Sequence, residues 1–462
     1  MESWSPLSST VNFVHDRTAD VAIIGAGVAG LEAARILQEA GIDVVVLEAR
    51  ERIGGRIFTR RSESLSLPIE LGAEFVHGSA PELREVAALA PLAIADIEGE
   101  RWQSHAGKLQ PLGNDFWSEL DDVMGRLRHR GPDRSFEQFL KSLPGGARAS
   151  RTRSLALQFV TGFHAADPKL VSEHALAEGG SPGDDEREER IGRVIHGYDS
   201  VPRWIGRKIV DRVRLGAIVT EVQWEPGSVQ VAVRDASGAS ATSLTARGAI
   251  ISLPIGVLQA PPGEPGAVTF SPAIAHYETA RAGLGSMAMG TVTRVVLQLR
   301  EAFWRSQRFA RRAKRQDLDR LSFLHTHDPD YPVWWTSYPN DAPMLVAWSG
   351  GPRGQELSTL QEEEIAERAV GSLARQFGVS RREARGLVTA TWHHNWETDP
   401  FARGAYSYIV VGGNGSPAKL ARPIKRTLFF AGEASDPEGR TGTVHGAIAT
   451  GRRAAKQLLR VL

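Results

Sequence analysis

The chain has 462 residues, 42% of them hydrophobic, and its 55 Lys and Arg nearly balance its 54 Asp and Glu. This composition is typical of a folded globular protein of two or three domains, and the net charge of +1 gives no electrostatic reason to expect nucleic acid or an anionic membrane as a main partner. Because the sequence contains no cysteine, it excludes disulfides, thiolate nucleophiles, cysteine-ligated zinc and iron–sulfur clusters.

The sequence shows no targeting or membrane signal. Its first twenty residues hold no apolar core of a secretory signal, and no run approaches the ~20 consecutive apolar residues that span a bilayer. We therefore expect a cytoplasmic protein, monomeric or homodimeric, without a membrane partner. Two charged stretches, 184–189 and 305–320, are interpreted as a solvated loop and as an exposed helix or insertion.

A glycine-rich loop follows the first predicted strand. The apolar run Asp20 to Ile24 leads into Gly25, Gly27 and Gly30, then an amphipathic helix, then a second apolar strand that ends at Glu48. The first glycine permits a tight turn, the second lets the backbone approach a pyrophosphate, and the third lets the helix pack on the strand. A carboxylate at the end of the second strand accepts hydrogen bonds from ribose hydroxyls and disfavours a 2′-phosphate. The pattern therefore predicts a site for FAD or NAD rather than NADP.

The residues after Glu48 favour FAD. Arg50, Gly55 and Arg56 would bring further backbone and guanidinium groups to the same pyrophosphate. The stretch from Val21 to Arg56 resembles the start of the flavin-containing amine oxidase superfamily, which includes monoamine oxidases, polyamine oxidases, L-amino-acid oxidases and lysine-specific histone demethylases. Carotenoid desaturases and protoporphyrinogen oxidases share this element, so it indicates the cofactor better than the substrate.

A second block of resemblance lies near the C-terminus. Leu428 to Ala431 is a predicted buried strand, and Gly432 and Glu433 close it at the carboxyl end, where ligands bind in open α/β sheets. The helix that begins near Thr443 would point its positive N-terminal end at the flavin. The stretch from Glu70 to Gly78 also resembles the family's loop that passes beside the flavin ring, and in the family the backbone at Val219 would contact adenine. The resemblance therefore implies these cofactor-binding residues: Gly25, Gly27, Gly30, Glu48, Arg50, Gly55, Arg56, Gly72, Ala73, Glu74, Val219, Trp396, Gly432, Glu433, Thr443 and Val444.

The resemblance also implies a cage of two side chains, Tyr406 and Thr443, which would align a substrate amine with the flavin face. Packing at a sheet edge is an alternative for Tyr406, and helix N-capping is one for Thr443. His77 occupies the position at which polyamine oxidases hold a histidine near the substrate nitrogen, and a structural role is its alternative. We therefore predict Tyr406, Thr443 and His77 as substrate-binding residues, the first two also being catalytic.

The main departure from the superfamily is Arg294, the third predicted catalytic residue. Most relatives carry a lysine here that is bridged through water to the flavin and assists oxygen reduction. Arg294 keeps the positive charge but does not readily release its proton, and its fork has a different reach. An oxidase with an altered water network, a slower oxidase that prefers another electron acceptor, and an alignment shifted by one or two residues are all open.

The resemblance implies an α/β fold of two interleaved domains. A Rossmann-like FAD domain would comprise residues 17–80, 195–268 and 398–462, and an α+β substrate domain residues 81–194 and 269–397. Ala288 to Leu299 and Met344 to Ser349 are predicted strands of the second domain's sheet. Some monoamine oxidases attach FAD through a cysteine at the position of Ala405, so a chain without cysteine should hold FAD non-covalently.

The predicted activity is oxidation of an amine to an imine, with hydride transfer to FAD, hydrolysis to a carbonyl compound, and reoxidation by O2 to peroxide. The predicted partners are thus a small amine and O2, and no metal site is expected. The alternatives are a dehydrogenase or desaturase of the same fold with another electron acceptor, and a flavoprotein that binds a ligand without turnover. Polyamines, monoamines and amino acids all remain open as substrates.

Overall fold

The computed structural model describes residues 17–462 except 106, 114, 180–189, 236, 238–240 and 314–317. The predicted acidic loop 184–189 lies outside the described residues, as does part of the basic stretch 305–320. The described part of that stretch includes the helix Gln307–Ala313, which buries the Phe309 side chain in a hydrophobic core.

The strands follow one another from the N-terminus to the C-terminus of the described chain. In chain order they are β1 (Arg17–Ile24), β2 (Val44–Leu47), β3 (Thr59–Ser62), β4 (Leu65–Glu70), β5 (Phe75–His77), β6 (Ile94–Asp96), β7 (Glu100–His105), β8 (Lys108–Pro111), β9 (Ile191–Val194), β10 (Val213–Arg214), β11 (Ile218–Glu225), β12 (Ser228–Arg234), β13 (Ala241–Ile251), β14 (Thr269–Ser271), β15 (Met287–Gly290), β16 (Val292–Leu299), β17 (Leu321–Thr326), β18 (Val333–Thr336), β19 (Met344–Gly350), β20 (Val388–His393), β21 (Tyr406–Ile409) and β22 (Leu428–Phe430).

The α-helices are interspersed with these strands along the chain. In chain order they are α1 (Val28–Glu39), α2 (Pro81–Leu89), α3 (Asp115–Met124), α4 (Phe136–Ser142), α5 (Ala147–Phe163), α6 (Glu173–Glu178), α7 (Ser200–Gly206), α8 (Ile255–Leu258), α9 (Glu278–Leu284), α10 (Gln307–Ala313), α11 (Gly351–Ser358), α12 (Glu362–Phe377), α13 (Arg381–Leu387), α14 (Ser416–Leu420) and α15 (Val444–Leu459). Among the described residues, no helix is long and apolar enough to cross a bilayer.

The larger sheet joins three distant parts of the chain. Its order is β10-β2-β1-β13-β12-β11-β14, and β22 pairs with the C-terminal end of β13. β10, β2, β1, β13 and β22 run parallel, whereas β12 is antiparallel to β13 and β11. β2 is buried at every position, as expected for a parallel strand that is covered on both faces.

Side chains on the two faces of this sheet build two separate cores. Along β1, Val21 and Ile23 pack with α1, α7 and α15, whereas Ala22 and Ile24 pack with the antiparallel strands and β22. The alternation follows from the period of two residues in a strand. α1 and α15 lie close together, since a Cβ at Gly451 would stand 2.3 Å from the carbonyl oxygen of Ala29.

The second large sheet has the order β20-β16-β19-β18-β17-β7-β8. Two of its strands were predicted: β16 confirms most of the strand predicted from Ala288 to Leu299, and β19 confirms the strand predicted from Met344 to Ser349. α12 packs on the core of this sheet. Residues 288–290 were predicted to continue β16, but they belong to β15, which pairs with β21 in a separate two-stranded sheet. β15 ends at Gly290, where a Cβ would stand 2.7 Å from the carbonyl oxygen of Ala165.

The α/β fold predicted from the sequence is confirmed, and it directs several segments to one edge. The carboxyl ends of β1, β2 and β22 lie there with the N-terminal ends of α1 and α15. This is where open α/β sheets bind ligands. The division into two interleaved domains stays a prediction, and Thr269–Ser271, at its proposed boundary, pairs with β11 of the larger sheet.

Candidate active site

The glycine loop lies where β1 meets α1. Gly25 has a φ of +103°, which favours glycine, and the Ser252 hydroxyl donates to the carbonyls of Ile24 and Gly25. A Cβ at Gly30 would lie 2.0 Å from the Gly25 carbonyl oxygen, so glycine is needed for α1 to pack this closely. A Cβ at Gly27 would meet no atom of the described residues within 4 Å. The loop is therefore packed against the protein at Gly30 and open at Gly27.

Glu48 directly follows β2 and is buried beside this loop. One carboxylate oxygen accepts the Ala26 N–H at 2.8 Å, and the other accepts the Arg50 N–H at 3.0 Å. The Arg50 guanidinium instead donates to both carboxylate oxygens of Asp399, at 2.7 and 2.8 Å. Burial of Asp399 is outweighed by hydrogen bonds from His394 and Arg50, which hold the pKa of Asp399 well below its usual range. Glu48 thus lies beside the glycine loop, whereas the Arg50 side chain is bound to Asp399.

Arg56 connects the two blocks of sequence resemblance. Its Nη1 donates to the Ala405 carbonyl at 2.9 Å and to Glu433 Oε1 at 2.8 Å, a residue 377 positions later in the chain. Gly55 has a φ of +58°, and a Cβ there would lie 3.4 Å from the Cα of Gly27. The N-terminal and C-terminal blocks therefore form one continuous surface.

Gly432 and Glu433 continue this surface from the end of β22. Gly432 has a φ of +114°, and its N–H donates to the Thr450 hydroxyl at 2.9 Å. The buried Glu433 carboxylate also accepts the Ser407 hydroxyl at 2.7 Å and the Gly442 N–H at 2.8 Å. Because Arg56, Ser407 and Gly442 all bind this carboxylate, Glu433 joins three segments of the chain.

Thr443 is the N-cap of α15, and Val444 is the first helical residue. The Thr443 hydroxyl oxygen accepts the Gly446 N–H at 3.0 Å and donates its proton to the Arg440 carbonyl at 2.7 Å. This geometry supports the N-capping alternative, which the sequence left open beside a cage role. The cage role of Thr443 stays a prediction.

The loop that begins at the end of β4 passes between the two blocks. A Cβ at Gly72 would stand 2.0 Å from the Arg56 carbonyl oxygen, and the Ala73 N–H donates to that oxygen at 3.1 Å. The buried Trp396 donates its Nε1–H to the Leu71 carbonyl at 2.8 Å. Gly72, Ala73 and Trp396 therefore fix this loop against the Arg56 turn.

The predicted cofactor contact Val219 lies on β11, which β13 and β12 separate from β1 in the larger sheet. It is buried in β11, where it pairs with Val233 of β12. The neighbouring Ala217 donates its N–H to the Glu48 carbonyl at 2.8 Å. Val219 is thus close in the fold to the end of β2.

Glu74 and Arg294 form a buried charge cluster with two further side chains, Arg193 and Trp335; we call these four residues the Glu74 cluster. Arg193 binds one Glu74 oxygen and Arg294 binds the other. The Trp335 Nε1–H donates to both oxygens, at 3.2 and 3.1 Å. Arg294 Nη1 also donates to the Gly72 carbonyl at 2.8 Å. Two predicted site residues therefore bind each other.

A second buried carboxylate, Glu70, lies beside the Glu74 cluster. Its oxygens accept the Tyr198 N–H at 2.8 Å and the Thr59 hydroxyl at 2.6 Å. Burial raises the pKa of Glu70 to about 7, and the hydrogen bonds only partly oppose this effect. Glu70 is therefore a titrating group near neutral pH, in contrast to an exposed carboxylate.

Tyr406 and His77 meet at the C-terminal end of α5. The Tyr406 hydroxyl donates to the Phe163 carbonyl at 2.7 Å, and a Cβ at Gly442 would lie 3.3 Å from the Tyr406 ring. The His77 ring centroid lies 5.4 Å from that of Phe163, edge to face. The Phe159 ring stacks on Phe163 at 5.2 Å. We call Tyr406, Phe163, His77 and Phe159 the aromatic wall.

The ionisable groups of this wall are neutral near pH 7. Burial, with a smaller contribution from His445, lowers the pKa of His77 to about 4. Burial raises the pKa of the Tyr406 hydroxyl, and nearby Glu433 adds to this effect. His445 is not part of the wall but influences His77, and burial lowers the pKa of His445 as well. The wall therefore offers rings, neutral imidazole and hydroxyl groups, but no positive charge that would repel an amine.

Three tryptophans that the sequence suggested as pocket residues have different environments. Trp334 is fully buried in the core of the second sheet, and its Nε1–H donates to the Tyr331 carbonyl. Trp335 belongs to the Glu74 cluster. Trp348 is half-buried and donates to the Gly162 carbonyl at 2.9 Å, next to the aromatic wall. Only Trp348 is thus placed beside the candidate substrate site.

Sequence reasoning missed Arg193 and Phe163. Arg193 lies on β9, 119 residues from its partner Glu74, and a single arginine in a strand gives no local signal for such a pairing. Phe163 ends a helix and keeps 51% of its surface exposed, which is unusual for a phenylalanine. Exposure is a property of the folded chain and could not be predicted from the sequence.

The residues present fit FAD. The N-cap of α1 is Gly27, which has no side chain to cap the helix, so first-turn N–H groups are left for a phosphate. Glu48 stands at the end of the adjacent strand, and Arg56 supplies a cation at the edge of the loop. Gly27 and Gly432 both leave space where a Cβ would otherwise stand.

Comparison with known proteins agrees with this fit. The profile of a family described as flavin containing amine oxidoreductase matches residues 28–459. Probable polyamine oxidase 4 of Arabidopsis thaliana is 28% identical over 96% of this chain and 87% of its own length. Lysine-specific histone demethylase 1 homolog 3 of the same plant is 27% identical, over 96% of this chain and 30% of its own length.

Solved structures show the same fold. Putrescine oxidase bound to putrescine superimposes with a TM-score of 0.76 at 22% identity, covering 96% of this chain and 99% of its own. Cyclohexylamine oxidase from Brevibacterium oxydans IH-35A does so with a TM-score of 0.75 at 21% identity and the same coverage of both chains. The chain therefore belongs to the flavin-containing amine oxidoreductase family, as a flavin-dependent amine oxidase whose FAD is held without a cysteinyl bond.

Proposed function

We propose that this enzyme oxidises the C–N bond of a small amine to an imine, which water hydrolyses to a carbonyl compound, with O2 as the final electron acceptor. The bound flavin would supply the hydride-accepting group. The observation that carries the proposal is the position of the aromatic wall, which meets Gly442 directly before the N-terminus of α15. This position supports an amine site that shares one edge with the proposed cofactor site.

The protein groups would act mainly by alignment and by exclusion of water. Tyr406 is fixed by its bond to the Phe163 carbonyl, so its ring is held in one orientation for an amine to pack against. His77 is neutral at pH 7, so its imidazole can exchange a hydrogen bond with the substrate nitrogen without repelling it. Only an unprotonated amine carries the lone pair that favours loss of a hydride, and an apolar wall favours that form.

Tyr406 and Thr443, the two predicted cage residues, would therefore orient the amine. His77 would contact it. We propose cofactor roles for the glycine loop and for Glu48, Arg56 and Glu433. The position of all these residues at one edge of the larger sheet supports these roles. A cytoplasmic location and a monomeric or homodimeric state stay predictions.

A peroxide assay on FAD-loaded protein tests the proposal. The panel should contain a polyamine, an aromatic or alicyclic monoamine, and an amino acid, and the carbonyl product should be detected as well as peroxide. We expect one class to give equal amounts of peroxide and carbonyl product. No carbonyl product from any class would contradict the proposal.

A second candidate is a dehydrogenase that prefers another electron acceptor. It is favoured by Arg294, whose guanidinium is bound to Glu74 and the Gly72 carbonyl and does not readily release a proton. The same assay with a dye acceptor under anaerobic conditions separates the two functions. Carbonyl product with the dye but none with O2 would favour the dehydrogenase.

A further inference from the structure

The Glu74 carboxylate is saturated with donors. Each of its oxygens binds one arginine, Arg193 or Arg294, and the Trp335 indole donates to both. All four side chains are buried, so this carboxylate cannot exchange its partners for water. Two arginines against one carboxylate leave an excess of one positive charge in the Glu74 cluster. Loss of Glu74 would leave two buried cations with only Glu70 as a neighbouring carboxylate.

Arg294 is held at more than one point. One guanidinium nitrogen binds Glu74 and another donates to the Gly72 carbonyl at 2.8 Å, two residues earlier in the same loop. Its guanidinium carbon lies 5.5 Å from the centroid of the Trp335 ring. Burial lowers the pKa of Arg294, and Glu74 is the main influence that opposes this change. The fork of an arginine can make both loop contacts together, whereas the single nitrogen of a lysine cannot match that geometry.

We propose that Glu74 is a positioning residue that fixes Arg294 against the Gly72 carbonyl, so that Arg294 acts beside the flavin as an immobile cation and not as a carrier of protons. The proposal rests on the proposed function in one respect, namely that the Gly72–Glu74 loop borders the flavin ring. Glu74 would thus act on flavin chemistry through Arg294 and without contact to the substrate. An immobile cation stabilises negative charge on reduced flavin and on oxygen intermediates without reorganisation.

Arg193 provides a matched comparison inside the same cluster. It binds the same carboxylate, but its second anchor is the Thr336 carbonyl at 3.1 Å, at the end of β18. Its guanidinium carbon lies 5.0 Å from the Phe75 ring centroid. Arg193 and Arg294 therefore share burial, charge and partner, and they differ in whether they bind the Gly72 carbonyl.

The experiment uses the FAD-loaded variants Glu74→Gln, Arg294→Met and Arg193→Met and the double variant E74Q/R294M. The flavin is reduced with dithionite, so the measurement needs no amine, and the rate constant of its reoxidation by O2 is followed together with its midpoint potential. We expect Glu74→Gln and Arg294→Met each to lower this rate constant about 10-fold, the scale of one preorganised charge contact. We expect E74Q/R294M to be no slower than the slower single variant. Arg193→Met leaves Glu74 bonded to Arg294 and Trp335, so we expect it to lower the rate constant by less than Arg294→Met does.

The charge-balanced variant E74Q/R193M separates positioning from charge compensation, and it also covers the case in which Glu74→Gln alone does not fold. It removes one negative and one positive charge. Arg294 still loses the carboxylate of Glu74 and keeps only its bond to the Gly72 carbonyl. A rate constant about 10-fold below the wild type supports positioning, whereas a wild-type rate constant and midpoint potential overturn it. Additive effects of Glu74→Gln and Arg294→Met, or an Arg193→Met effect as large as that of Arg294→Met, would also overturn it. Failure of the proposed amine oxidation would be visible separately, since dithionite reduces the flavin without an amine.

Discussion

The nucleotide-facing edge and the aromatic wall are built in opposite ways. At the glycine loop of this edge, glycines and backbone N–H groups are presented by residues close together in sequence. A Cβ at Gly30 is excluded there, because it would stand 2.0 Å from the Gly25 carbonyl oxygen. At the wall, large rings come from distant segments, since Tyr406 binds a carbonyl 243 residues earlier in the chain. The edge therefore depends on the absence of side chains, and the wall depends on their exact arrangement in space.

This difference teaches where substrate selectivity can vary. A backbone surface that binds a phosphate tolerates few substitutions, because any side chain fills the space of the ligand or of the adjacent strand. A wall of rings can change its shape by single substitutions without loss of the fold. We therefore expect substitutions at the edge to affect cofactor and stability, and substitutions at the wall to affect mainly the amine.

The largest effect should follow from Gly30→Ala. Its Cβ would overlap the Gly25 carbonyl oxygen, so α1 must move, at a cost of about 3 kcal/mol in the free energy of unfolding together with loss of bound FAD. Gly27→Ala is the matched control, because Gly27 has a φ of −70° and space beside it. It should leave the stability of the apoprotein unchanged and weaken FAD binding. Thermal unfolding and FAD titration of both variants measure these effects, and equal apoprotein stability of the two would contradict the packing argument.

A smaller effect should follow from acidification, through His77. The folded pKa of about 4 lies below the ordinary value of 6.5, so between these values the unfolded chain binds a proton that the folded chain does not. The contribution of His77 should thus reduce the free energy of unfolding as the pH falls from 6.5 to 4, by up to about 3 kcal/mol, and should have no pH dependence above 6.5.

The measurement compares His77→Gln with the wild type by urea unfolding at several pH values. Glu70 titrates with the opposite sign, because its raised pKa of about 7 lowers the stability as the pH rises through the range from 4.5 to 7, so only the difference between the two proteins isolates His77. The variant should gain stability relative to the wild type at acid pH. His129→Gln, at an exposed histidine, controls for the substitution itself. A difference between wild type and His77→Gln that is constant over the pH range would contradict the lowered pKa of His77.

The smallest effect should follow from Tyr406→Phe. It removes the hydroxyl donor to the Phe163 carbonyl but keeps the ring, so we expect a loss of about 1 kcal/mol in stability. Tyr331→Phe is matched to it, because the Tyr331 hydroxyl donates to the Ile365 carbonyl at 3.1 Å inside the second core. Both variants should lose similar stability, but only Tyr406→Phe should change kcat/KM for the amine. An equal change in kcat/KM for both would remove Tyr406 from the substrate site.

The sequence allowed prediction of the order of elements at the glycine loop because the signals for them are local. The order of strand, glycine loop, helix, strand and Glu48 occupies fewer than fifty residues, and each glycine has a steric reason that the structure bears out at Gly25 and Gly30. The N-cap alternative for Thr443 was likewise visible, because a threonine directly before an amphipathic helix is a local signal.

The remaining parts of the site depend on contacts between distant residues. The side chain of Arg50 was expected at the pyrophosphate, and its bond to Asp399, 349 residues later, has no local signature. The Arg294 substitution was visible in the sequence, but its partner Glu74 had been interpreted only as a cofactor contact. Long-range pairing is decided by the packing of the two sheets, so a single sequence without aligned relatives does not determine it.

The central claim, that this edge binds FAD next to a site for a neutral amine, is tested most directly by anaerobic mixing of the FAD-loaded enzyme with a panel of amines. We predict that at least one amine bleaches the absorption band of oxidised flavin, at a rate that saturates with amine concentration and is slowed in Tyr406→Ala. Amines that bind without bleaching the band, in a protein whose flavin dithionite can still reduce, would contradict the account.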